Sequence, residues 1–404
     1  MTAMEHVVVI GASLAGMRAA ETLRAEGFSG TLTVVGDEAH APYDRPPLSK
    51  QVLAGEWDVD RIALPSGARA ELDLTWERGV AATRLDLTAR ELELADGRTL
   101  PFDGLVIATG ATARWIPGTR GLPGVFTLRT LDDALGICRA IDAGATRVVV
   151  MGAGFIGAEV AASCRGRGVA VTMVEPLSQP LARVLGEEVG QVIAGLHADH
   201  GVDLRLSTGV DSIEASEHTA TRVHLSDGTA VTADLVVVGI GVVPNTGWLA
   251  GSGLNLDDGV LCDQTTLAAP GVVAAGDVAR WPNPVFGDVM RVEHWEHALD
   301  MGAHAARRLL AGDGPGEPYA PVPWFWSDQY DRKLQLAGSV RPDDEVVVVA
   351  GSTTDRRFTA LYGRHGRVVG AFAMNMPAQV VRYRRAIAAG LAWDDALAAA
   401  TAAG

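Results

Sequence analysis

Residues 147–160 read RVVVMGAGFIGAEV. A short β-branched run stops at Gly152, and Gly152, Gly154 and Gly157 complete a G-x-G-x-x-G before the helix-like stretch AEVAASCRGRG (158–168). A second run, VAVTMVE (169–175), follows. The order is β-turn-α-β, the opening of a dinucleotide-binding unit. The first glycine permits the tight turn, the second lets the backbone approach a pyrophosphate, and the third lets helix pack on strand. The helix N-terminus then faces the phosphates. Glu175 closes the second strand. A carboxylate there accepts hydrogen bonds from a ribose 2′-hydroxyl and repels a 2′-phosphate, so NADH is expected over NADPH.

The same pattern stands some 140 residues earlier. HVVVIGASLAG (6–16) leads into MRAAETLRAEG (17–27) and then TLTVVGDE (31–38). Gly11 and Gly16 keep their places, but Ser13 replaces the middle glycine. Its Cβ crowds the phosphate path, while its hydroxyl offers a donor to a phosphate oxygen. Asp37 or Glu38 should hold a ribose, and Asp37, directly after Gly36, is preferred. Three further apolar runs end in glycine turns: LVIATGA (105–111), LVVVGIGVVPN (235–245) and GVVAAGDVA (271–279). Each reads as a buried parallel strand whose carboxyl end meets a ligand. Asp277, after Gly276, suits a ribityl hydroxyl, which FAD has and NAD lacks; a helix N-cap is the plainer role. A Gly- and Pro-rich linker (311–323) precedes a segment of different composition with PWFWSDQYD, the strand EVVVVAG and a helical tail from about Pro377.

Length and charge bound the rest. A chain of 404 residues needs two or three domains. Net charge is −15 and 48% of residues are hydrophobic, which argues against nucleic acid or an anionic membrane as partner. No apolar run nears the roughly 20 residues that span a bilayer, and the start MTAMEHVVVIGASLAG is not expected to be a secretory signal. Cys138, Cys164 and Cys262 lie far apart with no C-x-x-C, against structural zinc, a disulfide framework or a dithiol relay. No metal is expected, and a reducing cytoplasm is.

Two dinucleotide folds with ATG, VGxxPN and AAGD strand ends resemble the two-dinucleotide-binding flavoprotein reductases. Within them, PYDRPPLSK (42–50), LRTLDDA (128–134), GAGFIGAE (152–159) and VPWFWSDQYDRKLQLAG (322–338) resemble the FAD-dependent ferredoxin reductases over nearly the whole chain. The resemblance implies an α/β, glutathione-reductase-like fold with two Rossmann-like domains and a smaller α+β C-terminal domain. Residues 1–112 and 244–317 would bind FAD, 113–243 NADH, and 318–404 would form the C-terminal reductase domain. It places Gly11, Ser13, Leu14, Ala15, Gly16, Asp37, Ala82, Gly276, Asp277 and Trp295 at FAD. It places Gly152, Gly154, Ile156, Gly157, Glu159 and Glu175 at NADH. Prolines stiffen the loop 42–50, whose Arg45 is expected at the FAD diphosphate or its flanking backbone. Arg129 is implied as a flavin-side contact. Lys50 is implied at the flavin N5 edge, where a fixed cation stabilises negative charge, with Glu159 as its ionic partner.

Disulfide-using cousins carry redox cysteines where this chain has LSKQVLAG (48–55), so thiol substrates and single-cysteine peroxidase chemistry are not expected. The implied acceptor is a one-electron carrier, a [2Fe–2S] ferredoxin serving a cytochrome P-450 or a ring-hydroxylating dioxygenase. A rubredoxin partner, or a non-enzymatic NADH-responsive flavoprotein of the apoptosis-inducing-factor type, stays open at this stage. Segment 318–404 holds ten Lys or Arg against eight Asp or Glu, so it is slightly basic in an acidic chain. Arg332, Lys333, Arg356, Arg357, Arg382, Arg384 and Arg385 are the candidate docking cations. Trp324, Phe325 and Trp326 are expected to pack on the flavin domain.

Overall fold

Val7, Val8 and Val9 have no solvent exposure. Their strand, His6–Ile10, pairs in parallel with Thr31–Gly36 on one side and Gly104–Ile107 on the other. A strand with neighbours at both edges and cover on both faces must be apolar throughout, which explains the missing alternation. The computed structural model describes residues 4–65, 70–215 and 221–403. Their contacts divide into two units. Among the described residues, seven α-helices run in chain order: α1 (Leu14–Ala25), α2 (Leu131–Asp142), α3 (Phe155–Gly166), α4 (Ala182–Asp199), α5 (Trp295–Leu310), α6 (Pro377–Ala388) and α7 (Trp393–Ala403).

The first unit is Met1–Asp44, Ile62–Thr112 and Val243–Pro323. Its six-stranded sheet runs in the order 267–269, 272–274, 104–107, 6–10, 31–36, 74–78. All neighbours are parallel except Leu267–Ala269 with Val272–Ala274. Helices α1 and α5 approach so closely that a Cβ on Gly302 would come 2.4 Å from the Ala15 carbonyl oxygen. A three-stranded antiparallel sheet, 82–86, 91–94 and 99–101, completes one edge of the core through Leu85, Leu92 and Leu94.

The second unit is Arg45–Arg61, Ala113–Val242 and Trp324–Gly404. A five-stranded parallel sheet runs in the order 203–205, 170–174, 147–151, 235–238, 125–127. Val148, Val149 and Val150 are buried as their counterparts are in the first unit. A five-stranded antiparallel sheet, in the order 324–329, 332–338, 367–374, 357–364, 345–352, forms the C-terminal part. α4 lays Leu185, Val189 and Ile193 against its Phe358, Tyr362 and Phe372, and α6 adds Val380 beside Ala337 and Ala373. The architecture is therefore α/β, two Rossmann-like parallel sheets plus a mixed C-terminal domain. The run 235–245 is two strands rather than the one expected: Leu235–Val238 stops at Gly239, and Val242–Pro244 resumes after Gly241 at φ +95°. Among the described residues no helix is long and apolar enough to cross a membrane.

Candidate active site

In the second unit the strand Arg147–Met151 delivers Gly152 to the start of α3. Gly152 has φ +94°, and a Cβ on it would stand 2.5 Å from the Gly239 carbonyl oxygen. A Cβ on Gly157 would stand 2.1 Å from the Gly152 carbonyl oxygen. Gly154 is different, for a Cβ there would meet nothing within 4 Å. Two glycines thus let helix and strand touch, and one leaves clear space above the loop. No side chain caps α3, so its first N–H groups face that space, the arrangement a pyrophosphate fits. Glu175 lies alongside, its carboxylate accepting from the backbone N–H of Ala153 at 2.8 Å and of Leu177 at 3.0 Å. Ile156, on the first turn of α3, is 47% exposed.

One turn further along α3, Glu159 is almost wholly buried. Its Oε1 lies 3.1 Å from Lys50 Nζ and accepts from the Ser327 hydroxyl at 2.7 Å. Its Oε2 accepts from the Ser49 hydroxyl at 2.5 Å. A buried charge is tolerable only when paired and hydrogen-bonded, and this one has both. The prolines explain how Lys50 arrives. Pro46 and Pro47 open a 3₁₀ turn, Pro46–Ser49, where a missing N–H costs nothing. Ser163, four residues beyond Glu159 and so on the same helix face, donates to the Ser49 carbonyl at 2.7 Å. The Lys50 ammonium also lies 5.8 Å from the centroid of the Trp326 ring. Arg45, expected toward a diphosphate or its flanking backbone, donates to the Arg129 carbonyl at 2.8 Å. Arg129 in turn is fixed by its N–H on Asp133 Oδ2 at 2.9 Å.

Phe325 packs edge-on against Phe155 of α3, ring centroids 4.6 Å apart. Strand alternation puts Phe325 and Ser327 on one face, toward the Phe155 and Glu159 side of α3. Trp324 and Trp326 pair with each other at 5.4 Å.

In the first unit Gly11 has φ +115°, and a Cβ on Gly16 would stand 1.9 Å from the Gly11 carbonyl oxygen, the same tight turn as in the second unit. Ser13 is the N-cap of α1, yet its side chain makes no capping bond. With Leu14 and Ala15 it leaves an uncapped helix start of the kind that holds a phosphate. Gly276 adjoins them, since its Cβ would lie 2.9 Å from that of Ala15. Asp277 follows on the 3₁₀ turn Gly276–Val278. Asp37 is exposed at the end of Thr31–Gly36, whereas Glu38 accepts from the Tyr43 hydroxyl at 2.5 Å. Ala82 begins the strand 82–86, two residues past Val80, whose N–H reaches the Gly36 carbonyl. Trp295 opens α5, its indole N–H on Asp44 Oδ1 at 2.5 Å.

Sequence reasoning passed over Ser49 and Ser327, although both stand inside the quoted motifs. It also passed over two histidines in VEHWEHA. Burial drops His294 to about 4 and His297 to about 3, each beside Asp277. His297 stacks on Trp281 at 4.9 Å and meets the Tyr319 hydroxyl through Nδ1 at 3.3 Å. Three of the candidate docking cations are already paired: Arg332 with Asp331, Lys333 with Asp328 at 2.8 Å, and Arg356 with Asp199 at 2.6 Å.

Comparison with known proteins agrees with this geometry. The family described as pyridine nucleotide-disulphide oxidoreductase matches residues 5–302, and the one described as reductase C-terminal matches residues 324–403. Rhodocoxin reductase of Rhodococcus erythropolis is 40% identical, covering 95% of this chain and 89% of its own. The ferredoxin–NAD(+) reductase component of the anthranilate 1,2-dioxygenase system of Burkholderia cepacia is 36% identical over 95% and 94%. The crystal structure of the ferredoxin reductase for the CYP199A2 system of Rhodopseudomonas palustris superposes with a TM-score of 0.91 at 35% identity, covering 97% of each chain. With both glycine loops, the buried Lys50–Glu159 pair and the C-terminal sheet accounted for, the chain belongs to the pyridine nucleotide-disulphide oxidoreductase family, in the branch that carries a reductase C-terminal domain.

Proposed function

We propose that this chain is an FAD-dependent NADH:ferredoxin oxidoreductase that supplies electrons, through a [2Fe–2S] ferredoxin, to a cytochrome P-450 or a ring-hydroxylating dioxygenase. The observation that carries it is the likeness to ferredoxin reductases along nearly the full chain, C-terminal domain included. FAD, when bound, would supply acceptance of electron pairs from NADH and release of single electrons, as an iron–sulfur carrier requires.

The chain's own part is placement and charge. Ser13 and the uncapped start of α1 hold the FAD diphosphate, with Gly11, Leu14, Ala15 and Gly16. Asp37 and Ala82 hold its adenosine end, and Gly276, Asp277 and Trp295 serve its other end. Gly152, Gly154, Ile156 and Gly157 hold NADH, and Glu175 selects it over NADPH by refusing a 2′-phosphate. Lys50 supplies a fixed positive charge, Glu159 keeps that charge in place, and Arg45 and Arg129 support the loop that carries it. On this reading residues 1–112 and 244–317 serve FAD, 113–243 NADH and 318–404 the reductase domain. Cys138, Cys164 and Cys262 are free thiols, which supports placing the protein in a reducing cytoplasm.

The test is direct. The purified protein should be yellow, and NADH should reduce cytochrome c rapidly only when a [2Fe–2S] ferredoxin is added. A colourless protein that cannot take up FAD overturns the reading; activity with rubredoxin alone replaces the partner.

A further inference from the structure

We propose that Ser327, brought from the C-terminal sheet, is a positioning residue for the Lys50–Glu159 pair: its hydroxyl holds one carboxylate oxygen while Ser49 holds the other, and so fixes where the Lys50 ammonium stands. This rests on the oxidoreductase reading above and deepens it. It also gives the motif PWFWSDQYD a role that aromatic packing alone does not.

Directionality supports the assignment. Gln329 Nε2 donates to Ser327 Oγ at 3.3 Å, which leaves the Ser327 proton for Glu159. Ser327 is 1% exposed and Gln329 wholly buried, so water does not compete for that proton. The strand delivers both groups by alternation, and Phe325 on the same face is pinned by Phe155 of α3. Each Glu159 oxygen therefore has a hydroxyl donor from a different element, and Lys50 is the charged group that faces it. Without Ser327, Oε1 keeps the Lys50 ammonium but loses its hydroxyl donor. The carboxylate is then free to rotate about its terminal torsion, which is intrinsically broad. Lys50, a four-carbon side chain with many rotamers, follows it.

The experiment uses the FAD-loaded enzyme with Ser327→Ala, Ser327→Thr and Glu159→Gln. Isotope-edited infrared spectra with labelled glutamate identify the Glu159 carboxylate band by its loss in Glu159→Gln. Ser327→Ala should shift that band, and Ser327→Thr, which keeps the hydroxyl, should restore it. In stopped flow, the rate of flavin bleaching by NADH should fall about tenfold in Ser327→Ala, the scale of one charge-assisted hydrogen bond. KM for ferredoxin should stay unchanged. An unshifted band in a folded Ser327→Ala enzyme overturns the proposal. If the alanine variant does not fold, Ser327→Cys, close in size but a weaker donor, should shift the band in the same direction, and no shift again overturns it. Failure of the underlying reading looks different: the wild-type protein then takes up no FAD, or its flavin is not bleached by NADH, whatever the infrared band does.

Discussion

Single residues divide the glycine loop into two kinds of work. At Gly157 a methyl group would sit 2.1 Å from a carbonyl oxygen, while at Gly154 it would sit in open space. Gly157→Ala should therefore destabilise the fold by about 2–3 kcal/mol, as overpacking does. Gly154→Ala should leave the melting temperature unchanged and raise KM for NADH about tenfold, because the cost of about 1–3 kcal/mol falls on the ligand instead. Differential scanning fluorimetry with NADH titrations separates the two. The sequence shows all three glycines but not this division, which depends on what the fold places opposite each Cα. The same limit applies at Glu159. Its partnership with Lys50 follows from a family pattern, but Ser49 and Ser327 lie 110 and 168 residues away in the chain. Serines are common, and no spacing rule joins these two to an acid on α3.

Elements were more legible where their boundaries carry chemistry. The valine runs, the glycine turns and the helices after them stand where periodicity puts them. The continuous run 235–245 misled because apolar composition does not register a break made by two glycines flanking Ile240. The start of α2 shows a cap doing more than capping. Thr130 and Asp133 form a reciprocal capping box. Asp133 Oδ2 also accepts from the backbone of Arg129 and from the Thr127 hydroxyl. Arg129 then offers its carbonyl to Arg45. Asp133→Ala should cost about 2 kcal/mol, more than a lone cap, because two backbone N–H groups and a hydroxyl lose their acceptor together. A urea midpoint shift with an unchanged slope would show it, and a stability equal to wild type would contradict it.

At the scale of the whole molecule, desolvation holds three imidazoles in the neutral form, of which His197 and His297 are buried. Burial drops His197 and His294 to about 4 and His297 to about 3, from an ordinary value near 6.5. A depressed native value means that the unfolded chain binds more protons. The stability these groups contribute is complete above pH 6.5 and is lost as pH falls through the window from 6.5 to about 4 or 3. Each proton taken up only on unfolding costs about 1.4 kcal/mol per pH unit in that window. Thermal unfolding between pH 7 and 4.5 should show the midpoint falling, and His297→Gln should flatten the fall. Parallel curves for the two proteins would contradict it. Charge at this scale is more local than composition suggests. Arg332 and Lys333 pair with acids of their own segment and Arg356 with Asp199, so three of the seven candidate cations already have an acid partner before any ferredoxin arrives.

The three thiols have a practical consequence. Cys164 and Cys262 are sealed in the two cores, their ionisation pushed up to about 12 by burial, and burial raises Cys138 in the same direction. Maleimide and peroxide act on thiolate, which this protein withholds at neutral pH. A lone engineered cysteine on the surface would then report its own position to a spin label or fluorophore, with the native sulfurs left silent and in place.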